Sequence, residues 1–119
     1  MKIAFLFHSA PHGSSVAREG LEALLAATAF CDEEDIGVFF IDDGLLNLLE
    51  GQQPECLLQK DFIRTFKLLD LYGIEQRFVC HHSLEKLKID EKHFILSVEK
   101  IDRTLLMARL HQAEKVLSF

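Results

Sequence analysis

Cys80 is followed directly by His81 and His82, in the stretch RFVCHHSLEKL that spans residues 77–87. A thiol at the end of a strand, facing the first N–H groups of the next helix, sits where the helix macrodipole stabilises a thiolate. Protonated histidines beside it add favourable charge. Such a group is suited to nucleophilic attack or to carrying persulfide sulfur. The run FVC is equally suited to ending a buried strand, because cysteine is among the most buried residue types. The residues alone leave both readings open. Cys31 follows an apolar helix end and Cys56 lies in a loop, so neither shares this placement.

Other chemistry-bearing groups read as structural. Asp42 and Asp43 precede Gly44. Paired carboxylates hold a divalent cation in receiver-like domains, but no matching lysine ends the last strand, and Mg²⁺ needs more oxygen ligands than these. Adjacent acids before a glycine are turn formers and helix caps. His8 and His12 lie across a Pro-containing turn and share no helical face. The string Cys80-His81-His82 matches no zinc signature. The loop HSAPHGSS (8–15) offers backbone N–H groups that suit an anion, yet it has neither GxGxxG nor the GK[ST] ending of a phosphate loop. It reads as a capped turn. No metal and no cofactor is expected.

These groups need a frame to place them. Residues 2–8 form a continuous apolar run, as in a strand covered on both faces. Ser14 or Ser15 is placed to cap a helix whose inner face carries Ala17, Gly20, Leu21, Leu24, Leu25 and Thr28. Residues 36–41 are a second buried strand, ended by Asp42, Asp43 and Gly44. LLNLLE (45–50) is a short helical turn, and Gly51 and Pro54 mark a loop. A helix over about 58–71 presents Leu58, Phe62, Phe66 and Leu69, with Gly73 as its stop. A strand over 76–80 leads into a helix SLEKLK (83–88) capped by Ser83. A strand over 94–98, a helix near 102–111 and a final strand over 115–119 follow. This alternation predicts a three-layer α/β/α domain with a mainly parallel five-stranded sheet. In such sheets reactive groups gather at the carboxyl ends of the strands. The loop 8–15, Asp42-Asp43-Gly44 and Cys80-His81-His82-Ser83 all fall on that rim.

The bulk properties restrict the partners. A chain of 119 residues, 49% hydrophobic and 27% charged, fits one domain over 1–119. The net charge of −6 argues against direct nucleic-acid binding, which requires a basic surface. No apolar run nears the ~18 residues of a membrane span. The apolar segment Ile3 to Phe7 is shorter than the roughly 7 residues of a signal-peptide core. Three cysteines without CxxC spacing suggest reduced thiols and a cytoplasmic location. Ten phenylalanines and no tryptophan suit a core or interface that needs no polar handle.

Several strings resemble one family. F-x-x-x-P-H-G from Phe7, R-E-G-L-E-A-L-L-A from Arg18, V-F-F-I-D-D-G from Val38, L-L-x-G-Q-x-P from Leu48, F-K-L-L-D-L-Y-G-I-E from Phe66, and V-C at Val79-Cys80 together resemble the TusC/DsrF family, as does the ending KVLSF. The resemblance spans nearly the whole chain. It implies a DsrE-like α/β fold and a place beside TusB and TusD paralogues in a heterohexameric sulfur-relay complex. That complex takes persulfide sulfur from TusA and passes it to TusE, for 2-thiouridine formation at the tRNA wobble position. The DsrF branch, in sulfur oxidation, is the alternative. In the family the essential sulfur-carrying cysteine belongs to the TusD subunit. The resemblance therefore implies an interaction subunit, with Cys80 as an auxiliary relay candidate.

Overall fold

The computed structural model describes residues 1–49 and 66–119. Five parallel strands form one sheet in the order β4-β3-β2-β1-β5: β1 Ile3–Phe7, β2 Ile36–Phe40, β3 Gln76–Cys80, β4 Glu99–Ile101 and β5 Lys115–Ser118. The α-helices among the described residues are α1 Val16–Ala27, α2 Leu68–Leu71, α3 His81–Leu87 and α4 Arg103–Gln112. From β1 to β4 the chain steps across the sheet in one direction, and it then returns past β1 to place β5. Right-handed crossovers put the helices of the forward steps on one face and that of the return step on the other. The packing agrees. Leu21, Leu24, Leu69 and Leu84 from α1, α2 and α3 share a core with Phe5, Phe7, Val38, Phe40 and Val79. Leu106 and Leu110 from α4 cover the opposite face with Ala4, Phe39, Phe78 and Cys80.

Strand alternation supplies both cores. β2 is buried throughout, with Ile36, Val38 and Phe40 on one side and Phe39 on the other. Phe7 lies at the centre of an aromatic cluster. Its ring is 5.4 Å from that of Phe40 and meets Phe66 edge-on at 5.3 Å. Phe5, Phe7, Phe39, Phe40, Phe66, Phe78 and Phe94 are all buried. The phenylalanine excess thus fills the two cores, and among the described residues Phe30 alone projects far into solvent, at 89% exposure.

Most of the expected elements are present, and α1 buries Ala17, Gly20, Leu21 and Leu24 as its periodicity requires. Four details differ. The strand expected over 94–98 is a loop whose Phe94 and Leu96 plug the first core, and the edge strand lies downstream at Glu99–Ile101. An edge strand with two exposed residues of three carries no apolar run, so the neighbouring apolar loop supplied the misleading signal. Ser83 lies inside α3, and Cys80 holds its N-cap position. Asp42 and Asp43 do not stand outside a helical turn: a 3₁₀ helix runs over Asp42–Leu48. At α1, Ser15 is the N-cap residue but makes no side-chain cap, and Ser14 Oγ accepts instead from Val16 N–H at 3.4 Å. The expected helix over 58–71 is described only in its last part, where Phe66 and Leu69 are buried. Its start, the loop at Gly51 and Pro54, and Cys56 lie outside the described residues.

The turn after α2 follows from Gly73. Its φ of +76° allows the N–H of Ile74 to reach Leu69 O at 2.9 Å and its own N–H to reach Asp70 O at 3.1 Å, which closes the helix end. Asp90 opens a short 3₁₀ turn, and the Lys92 backbone N–H that it accepts holds its carboxyl below the usual carboxylate range.

Candidate functional site

Cys80 pairs with Ile101 across β3 and β4, and its side chain faces the α4 side of the sheet. Its neighbours there are Phe39, Ile41, Phe78, Ile101, Leu106 and Leu110, and its exposure is 0%. The backbone turns from strand to helix at this residue, which holds the N-cap position of α3 in place of Ser83, but its thiol makes no capping hydrogen bond. Its surroundings are apolar. The histidines go elsewhere: His81 and His82 are exposed, and His81 Nε2 lies 2.7 Å from Glu85 Oε1 along α3. The expected support of the thiol by both imidazoles is therefore not assembled at the sulfur; the His81 ring is engaged by Glu85.

The carboxyl-end rim that the sequence points to is tied together by polar contacts. Asp42 adopts a φ of +49°, and its N–H donates to Ser83 Oγ at 2.9 Å. Its carboxylate accepts from Arg103 Nη1 at 3.3 Å. Asp42, which follows β2 by two residues, thereby joins the start of α3 to the start of α4. Asn47 makes a second tie. Its Nδ2 donates to Ser9 O at 3.0 Å and to Gly44 O at 2.9 Å, which fastens the loop after β1 to the 3₁₀ helix. Asn47 is fully buried, and its Oδ1 has no hydrogen-bond partner among the described residues. Gly44 makes this approach feasible, because a side chain at that position would collide with the carbonyl of Phe7.

Sequence reasoning places Asp42 on the rim as a turn former, but not its bonds to Ser83 and Arg103. Those depend on three separate strand ends meeting. Asn47 carried one signal, as the lone polar residue inside LLNLL. His8 is exposed and His12 half-buried. Among the described residues no three His, Cys, Asp or Glu side chains converge as metal ligands. No helix among them is long and apolar enough to cross a membrane. Chemically, Cys80 is a thiol buried in an apolar cluster, and a sulfur donor reaches it only if the side chains packed around it move.

Among the described residues, a parallel five-stranded sheet has three α-helices on one face and one on the other, with a cysteine at the end of β3, which is an α/β/α class of domain. The chain belongs to the DsrE/DsrF-like family, whose model matches residues 1–119. It is 66% identical to the protein TusC homolog of Haemophilus influenzae, with all of both chains covered. It is 55% identical to the protein TusC homolog of Pasteurella multocida, again over all of both chains. Identity to protein TusC of Klebsiella pneumoniae is 46%, covering 99% of this chain and 98% of that one. Among solved structures, the crystal structure of the ychN protein from E. coli superposes with a TM-score of 0.80, covering 100% of this chain and 99% of that one. At 23% identity that likeness speaks for the fold alone.

Proposed function

We propose that this chain is the interaction subunit of a TusBCD-type sulfurtransferase complex in the cytoplasm. In this reading it assembles with TusB and TusD paralogues into a heterohexamer. The complex relays persulfide sulfur from TusA to TusE for 2-thiouridine formation at the tRNA wobble position. The similarity to TusC proteins over the full chain supports the assignment to such a complex. One observation carries the non-catalytic role: the Cys80 sulfur is fully buried in an apolar cluster. Persulfide transfer needs a thiolate to attack the terminal sulfur of the donor, forming a new S–S bond as the donor thiolate leaves. A sulfur without exposure cannot make that approach in this conformation.

Cys80→Ala and Cys80→Ser, each expressed in cells lacking the native chain, test the role through tRNA 2-thiouridine content. The serine hydroxyl is buried without an evident acceptor and costs roughly 1–3 kcal/mol, so the alanine variant keeps the test clean. Near-normal 2-thiouridine is expected with Cys80→Ala, against its loss when the whole chain is absent. Loss of thiolation in a fully assembled Cys80→Ala complex would make Cys80 a sulfur carrier instead.

A further inference from the structure

The end of the sheet opposite the rim carries an unusual pairing of groups. Phe30, in the turn after α1, is 89% exposed, Leu71 at the end of α2 is 76% exposed, and Tyr72 beside it is 47% exposed. Half of the large hydrophobic side chains exposed among the described residues are here. The two turns meet at Gly73, where even a methyl group would rest 3.5 Å from Glu33 Cγ. Beside Gly73 lies a surface cavity of about 460 Å³ lined by Glu33, Glu34, Gly73, Glu75 and Gln76. At no more than ~3.6 Å per residue, Phe30 and Leu71 sit within roughly 11 Å of that lining. Exposed apolar groups thus lie near an acidic hollow.

Both turns are built rigidly. Phe30 N–H donates to Ala27 O at 3.0 Å and Cys31 N–H to the same oxygen at 2.9 Å. Leu71 and Tyr72 are fixed by the closed turn at Gly73. Exposed rings held on fixed backbone bind with little ordering entropy to lose, unlike mobile side chains.

The charge selects the occupant. Glu33, Glu34 and Glu75 enter none of the ion pairs found among the described residues, whereas nearby Lys2 is engaged by Asp35 and Arg77 by Asp70. Three uncompensated carboxylates around one hollow repel each other, and a cationic surface relieves that repulsion. A second copy of this chain would bring the same acidic face against itself in a two-fold contact.

We propose that this end of the sheet is a docking surface for a partner protein that presents lysine or arginine around an apolar contact. The inference rests on the reading of the chain as an assembly subunit and names the surface it uses. Isothermal titration into the co-expressed pair of TusB- and TusD-type subunits, at low and high salt, tests it. Wild type is compared with F30S/L71S and with E33Q/E34Q/E75Q. All five sites are exposed, so unchanged thermal unfolding serves as the folding control. Wild-type affinity is expected to fall as salt rises. The apolar variant should bind about tenfold more weakly at both salts. The glutamine variant should weaken at low salt and lose most of its salt dependence. Binding of both variants at wild-type strength would overturn the surface while leaving the subunit reading intact. Failure of wild type to bind the pair would overturn both. Self-association of wild type that F30S/L71S abolishes would make the occupant a second copy and overturn the proposal.

Discussion

Cys80 and Arg77 stand three residues apart on β3 and show how one strand serves two purposes. The Cys80 sulfur looks into the α4-side core, with no exposure. Arg77 is also buried, at 7% exposure, but as a charged tie. Its Nε donates to Ser97 O at 2.9 Å, its Nη2 to Ser97 Oγ at 2.9 Å, and its Nη1 to Asp70 Oδ1 at 3.2 Å. One guanidinium thereby fastens the 94–98 loop to the end of α2. Lysine gathers its three donors on one compact nitrogen and cannot span these acceptors. Arg77→Lys should lower stability by about 2–3 kcal/mol, since hydrogen bonds to charged groups are worth ~1.5–3 kcal/mol each. Asp70→Asn should cost under about 1 kcal/mol, because its carboxylate is 76% exposed. Urea unfolding of the two variants checks the order, and equal losses would contradict this account of Arg77.

At the scale of elements, the turns do more than connect. Gly44 lets the Asp42–Leu48 helix lie against the end of β1, where the Phe7 carbonyl already accepts from Ile41 N–H at 3.0 Å. Gly44→Ala should cost about 1–3 kcal/mol or more, as overpacking does. Gly73→Ala should cost only roughly 1–2 kcal/mol, the penalty of a left-handed backbone, because its side is nearly open. Thermal unfolding that ranked the two in reverse would contradict these assignments. Much of this level was legible beforehand. β1, β2, β3 and β5 announce themselves as apolar runs or alternations, and Gly73 as a helix stop. β4 does not, since its place at the edge leaves Glu99 and Lys100 in solvent while the loop before it holds the apolar residues. Ser83 has the type and position of a cap, yet the helix begins earlier and its hydroxyl serves Asp42 instead. The position of Cys80 at a strand end was legible, but its direction was not. Which face a strand-end side chain takes depends on strand register and on where α4 returns, and both are set by long-range pairing.

For the molecule as a whole, the two ends of the sheet divide the surface. At the carboxyl end Asp42 is bonded to Ser83 and Arg103, and Asn47 to Ser9 and Gly44, while Cys80 is buried among apolar side chains. The amino end presents Phe30, Leu71 and Tyr72 near Glu33, Glu34 and Glu75, which enter no ion pair among the described residues. Under the proposed role, the exposed Phe30, Leu71 and Tyr72 are what the subunit offers its partners. Co-expression with TusB- and TusD-type subunits followed by native mass spectrometry measures this most directly. The account predicts a single complex containing two copies of each chain. Recovery of this chain as a monomer, beside a TusB–TusD assembly that lacks it, would contradict it.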